Sequence, residues 1–141
     1  MIPTFLLFLL LAPPPASMDQ VKAEANPERR ARAAVEFAAV AEKSAETAYA
    51  SGDLATTVQW LKTTAEAMEI ARDSLDASGK KPGRSPGTYK FAEQRSREIL
   101  VRLEDLQRKM DDSERALVNG PITNVQEIHD AWFDGIMGKK K

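Results

Sequence analysis

The stretch TYKFAEQRSREILVRLEDLQRKMDDSERAL, residues 88–117, decides the fold. Ala92, Ser96, Ile99, Leu103, Leu106, Met110, Ser113 and Leu117 recur at alternating steps of four and three, and six of the eight are apolar. That spacing puts them on one face of a helix of about eight turns. Glu93–Arg97, Glu98–Arg102, Glu104–Arg108, Asp105–Lys109 and Asp111–Arg115 are acid-before-base pairs at i,i+4, which give the same helix a long wet face. Such a helix cannot bury its stripe alone, so the rest of the chain must supply the other walls. Ser96 and Ser113 are its weak points, where a polar layer or a break in the packing is expected.

Upstream, Asn26-Pro27-Glu28 reads as a helix start, with Asn as the cap, Pro in the first helical position and Glu in the positive first turn. The first helix then runs to about Ser51. Its seam is Ala31, Ala34, Ala38, Ala41, Ala45 and Ala48, small side chains that let a neighbour come close. Gly52-Asp53 ends it and caps the next helix, from Leu54 to about Ala77, whose predicted seam is Leu54, Val58, Leu61, Ala65, Met68, Arg72 and Leu75. A link this short between helices of equal length means an antiparallel hairpin.

Ala45, Tyr49 and Gly52-Asp53-Leu54 resemble the inter-helix turn of a tetratricopeptide repeat. The likeness covers about ten residues and implies a tight helix-turn-helix. It departs at Thr57 and Thr64, where the family prefers alanine, and no period of roughly 34 residues recurs.

Gly79, Pro82, Gly83, Pro86 and Gly87 mark a linker, made basic by Lys80, Lys81 and Arg84. Asn119-Gly120-Pro121 is expected to stop the third helix and start a short fourth one, with the seam Ile122, Val125, His129, Trp132 and Ile136. The fold class is therefore all-α: an antiparallel up-and-down bundle of three long helices plus a short C-terminal helix.

Residues 5–12 form an apolar run of signal-peptide length, followed by Pro13-Pro14-Pro15-Ala16-Ser17, although no Lys or Arg precedes it. Residues 1–17 are accordingly expected to be a signal peptide, with cleavage as late as residue 25. Residues 18–25 would be a disordered linker, residues 26–137 the bundle and residues 138–141 a basic tail. The run is too short to span a bilayer, so membrane contact is expected only during export. Export would place the protein in the periplasm of a bacterium or outside the cell.

The chain carries 20 basic and 21 acidic residues. Losing residues 1–25 takes Lys22, Asp19 and Glu24 with it and leaves 19 of each. A neutral domain offers no basic face for nucleic acid. With no Cys there is no disulfide, thiolate metal site or cysteine nucleophile.

Candidate chemistry is sparse. His129 is the only histidine, and a di-iron bundle needs Glu-x-x-His on two helices. A zinc site would have to recruit Glu127, Asp130 or Asp134. Arg72 interrupts an apolar seam. Hairpin register places it opposite Ala33, so Glu36 is the nearest candidate partner unless its head reaches water. Lys80, Lys81 and Arg84 form an anion-contacting loop or a solvated linker. The loop lacks the Gly-Lys-[Ser/Thr] ending of a nucleotide-binding loop. Trp60, Trp132 and Phe133 are core or a partner site, with Trp60 beside its seam rather than on it. No cofactor is implied. The expectation is a non-catalytic helical interaction or scaffold protein that binds a protein partner or a second copy of itself. The alternative is a small-ligand or metal site at His129 or Arg72.

Overall fold

The computed structural model describes residues 17–138. Apart from Ser17, the expected signal peptide lies outside the described residues, as does the tail Lys139 to Lys141. Five helices follow in order: α1 (Met18–Ala23), α2 (Pro27–Ala50), α3 (Leu54–Ala77), α4 (Pro86–Lys109) and α5 (Asp112–Ile136). The four long helices pack as an all-α bundle in which α2 touches α3 and α4, and α5 touches α3 and α4.

Local chemistry explains each turn. Asn26 caps α2 by accepting from the Arg29 amide at 3.0 Å. At its far end Gly52 takes φ +81°. The Gly52 amide donates to the Tyr49 carbonyl and the Asp53 amide to the Ala48 carbonyl, which satisfies two carbonyls of the last turn. Asp53 then caps α3 by accepting from the Thr56 amide at 3.0 Å.

The alanine seam of α2 is buried along its whole length. Its partner seam on α3 is rotated by about one residue from the expected one: Thr57, Leu61, Thr64, Met68, Ala71 and Leu75 point inward, while Leu54, Val58 and Arg72 are exposed. The threonines can be buried because their hydroxyls donate to the carbonyls one turn back, at 2.8 Å each.

The third helix is shorter than expected and the last one longer. Met110 leaves the helical conformation at ψ 153°. Asp111 then caps α5 by accepting from the Glu114 amide, while the Glu114 side chain accepts from the Asp111 amide. This reciprocal capping box stops α4 eight residues before Leu117, the expected end. The buried stripe thus ends at Met110, and Ser113 and Leu117 are exposed on the next helix. The second correction is at Pro121, which lies inside α5 instead of starting it. The helix passes through because Val118, Val125, Ile128 and Trp132 bury one continuous stripe across it.

Residues 18–23 are helical rather than disordered. Ser17 caps them, Val21 is fully buried, and Arg30 ties the segment down through its bond to the Glu24 carbonyl at 3.0 Å. Among the described residues, no helix is long and apolar enough to cross a membrane.

Candidate functional site

The bundle brings together one candidate that the sequence singled out and one partner that it did not. His129 on α5 faces Glu93 on α4, with ring Nε2 2.9 Å from the carboxylate. Nδ1 lies 3.1 Å from Asp130. Phe133, one turn on, stacks against the ring with centroids 6.0 Å apart. Glu93 is buried and also accepts from Arg97, whose Nε lies at 3.0 Å. Burial alone would push the Glu93 carboxyl up. The hydrogen bonds from Arg97 and His129, helped by the charges beside it, outweigh burial and hold it below the ordinary carboxylate range.

Both ring nitrogens of His129 are thus engaged, and the arrangement is a cross-link between α4 and α5. Among the described residues, no three His, Cys, Asp or Glu side chains converge in a way that could hold a metal ion. Of the expected carboxylates only Asp130 reaches the ring. Glu93 was legible in principle, since Tyr89, Glu93, Ser96, Leu100 and Leu103 repeat at four and three residues with an acid in second place.

Of its two expected readings, Arg72 takes the one in which its head reaches water. It does not meet Glu36. Its side chain is 45 % exposed and pairs with Glu69 and Asp73 on its own helix. Glu36 instead accepts from Arg95 of α4 at 2.8 Å.

The basic loop is more firmly held than a solvated linker. Lys80 pairs with Glu28 at 2.6 Å, and the Tyr89 hydroxyl donates to the Lys80 carbonyl at 2.6 Å. Pro82 seats against Gly135, where an added Cβ would come within 2.7 Å of the proline ring. Lys81 and Arg84 make no ion pair among the described residues. The aromatics do not form a shared patch. Trp132 is buried in the core, whereas Trp60 is half-buried beside a groove between α2 and α3.

A second buried acid was not anticipated. Glu42 on α2 has no exposed surface, and neither carboxyl oxygen has a hydrogen-bond partner. It lines a cleft of about 260 Å³ between α2 and α4. Burial, reinforced by Glu46 one turn on, pushes its carboxyl up to about 9, so it carries a proton at neutral pH. The signal lay in Val35, Ala38, Glu42 and Ala45, an apolar stripe interrupted by an acid.

Above this cleft Arg95 bonds Glu36, and Arg102 reaches Glu46 at 3.3 Å. Of the five i,i+4 pairs expected on this helix, only Glu93–Arg97 forms. Arg102 turns instead toward α2, and Arg108 and Arg115 pair at i,i+3 with Asp105 and Asp112. Comparison with protein-family models, curated proteins and solved structures finds no match to this chain.

Proposed function

We propose that this is an exported, non-catalytic interaction protein that works through the outer faces of its bundle. The observation that carries the reading is an apolar strip on the α3–α5 seam. The Asn124 side-chain amide donates to Glu69, which fixes the level of α5 beside α3. Val58 stands about 16 Å up α3 from Glu69 and Leu117 about 10 Å up α5 from Asn124, so the two lie within about one turn of each other. Both are more than a third exposed, as is Leu54 one turn beyond Val58. Exposed apolar side chains gathered on one seam mark a surface that a partner covers.

Two further features support an outer-face role. The interior is filled by the chain's own side chains, from Val21 to Trp132. His129 and Arg72 spend their polar groups on internal or same-helix partners. The apolar run of residues 5–12 supports export.

Site-specific photo-cross-linking in a bacterial host tests the reading. A cross-linking residue at Val58 or Leu117 should give a discrete adduct, either with a second copy or with one protein partner. One at the exposed position Asp73 should not. Equal adducts at all three positions, or none at any, would overturn the interaction strip.

A further inference from the structure

Two basic segments that lie far apart in the sequence meet at one end of the bundle. Residues 79–92 carry Lys80, Lys81, Arg84 and Lys90 and no acid. Residues 131–141 carry Lys139, Lys140 and Lys141 and one acid, Asp134. The fold joins the segments: Pro82 sits directly on Gly135, and a Cβ on Gly83 would stand 3.6 Å from the Gly135 carbonyl oxygen. Of the chain's 20 basic and 21 acidic residues, seven and one fall in these segments. The near-neutral total therefore hides a positive end on an acidic body.

Little of this charge is neutralised locally. Glu28 of α2 takes Lys80, and Asp76 near the end of α3 acts on Tyr89. Lys81, Arg84 and Lys90 are exposed and form no ion pair among the described residues. Ser85 makes no side-chain cap bond at the start of α4, which leaves the positive end of that helix dipole beside them. Apolar surface lies at the same end. The His129–Glu93 contact sets the register of the antiparallel α4 and α5, and it puts Phe133 level with Tyr89 and Met137 level with Ser85. Phe133 is 38 % exposed and Met137 61 %.

We propose that this end docks on an anionic phospholipid bilayer. Lys81, Arg84 and the lysines that follow Gly138 meet the phosphates, and Phe133 and Met137 enter the boundary between headgroups and acyl chains. Basic side chains alone would suit any polyanion, but basic side chains around exposed apolar ones are what an interfacial site requires. The contact is peripheral, since among the described residues no helix is long and apolar enough to cross a membrane. It does not rest on the α3–α5 strip, which lies at the other end of the bundle. Leu54 opens α3 about 35 Å from its last residue, Ala77. A bundle standing on its basic end thus holds Leu54 and Val58 away from the bilayer and open to a partner.

The test is flotation of the purified chain with vesicles of phosphatidylcholine alone and of phosphatidylcholine mixed equally with phosphatidylglycerol. The apolar run of residues 5–12, where retained, binds both kinds alike, so the readout is the difference between them. Partitioning onto the anionic vesicles should exceed that onto the neutral ones by more than about tenfold at low salt, and the excess should vanish at high salt. Lys81→Glu with Arg84→Glu should cut the excess by more than about tenfold while circular dichroism shows an intact helical fold. The same charge change at the exposed far-end residues, Lys62→Glu with Lys109→Glu, should cut it by less than about threefold. Phe133→Ser with Met137→Ser should weaken binding at unchanged charge. The proposal is overturned by equal partitioning onto the two vesicle types or by equal losses in the two charge-reversed pairs. Tight binding to soluble heparin, with no loss on vesicles in Phe133→Ser with Met137→Ser, would show that this end reads negative charge alone and would overturn the lipid assignment.

Discussion

Glu42 and Glu93 are both buried glutamates that interrupt an apolar stripe, yet their carboxyls move in opposite directions. Glu42 has no hydrogen-bond donor and its nearest neighbour is another acid, so burial raises it to about 9. Glu93 receives hydrogen bonds from Arg97 and His129, and these more than offset burial. Helix type and accessibility are nearly the same for the two. What differs is whether a donor from the next turn or the next helix reaches the carboxyl. The buried acid with partners joins α4 to α5, whereas the one without keeps its proton and leaves a charge unexpressed.

The largest expected effect comes from removing the charge that Glu42 cannot express. Its folded value lies above the ordinary 4.5, so its contribution is intact below that value and declines as pH rises toward 9. Glu42→Gln carries no such loss. It should be more stable than the wild type by on the order of 3 kcal/mol at pH 7, with the gap closing near pH 4. Urea unfolding at the two pH values measures this. A Glu42→Gln chain that is less stable at pH 7 would mean the carboxyl has a partner, and the contrast with Glu93 would collapse.

Glu93→Gln should act in the opposite sense. It leaves His129 and Arg97 without their shared anion and should cost about 2 kcal/mol at pH 7. The Glu93 carboxyl lies below the ordinary range, so its contribution is present above pH 4.5 and is lost as pH falls through the lowered value. The deficit of the variant should therefore shrink in acid. A deficit independent of pH would show that packing, not charge, holds α4 to α5.

The same contrast explains how far the sequence could be read. Repeating apolar positions carry the periodicity of burial, so the alanine seam of α2 and the stripe from Ala92 to Met110 were legible. The face of α3 was harder to read, because Leu54 and Val58 offered a second apolar stripe beside the one headed by Thr57. The break after Met110 was written in Asp111 and Glu114, but those residues also fit the interior of a charged helix. The candidate sites fared worse. His129 was visible because it is the only histidine, whereas its partner lies on another helix, 36 residues away. Glu42 was hidden by its type: acids in helices are usually solvated, and only the tertiary fold decides which one is not.

Arg97→Met separates the two donors of Glu93. The Arg97 side chain is 58 % exposed, so solvent screens most of the pair. The expected loss is about 0.5 kcal/mol, larger at low salt than at high. A loss as large as that of Glu93→Gln would make Arg97, not His129, the group that holds the buried acid.

The smallest effect belongs to Arg72→Met, which serves as the outside reference for both glutamates. Arg72 pairs with Glu69 and Asp73, but these acids are exposed on its own helix, so no buried charge is left behind when the guanidinium goes. Its aliphatic stem is retained in methionine, and the stability change should stay within about 0.5 kcal/mol at any pH between 5 and 8. A loss of several kcal/mol on chemical denaturation would place the guanidinium inside the bundle. That outcome would remove the exposed reference against which the two buried glutamates are compared.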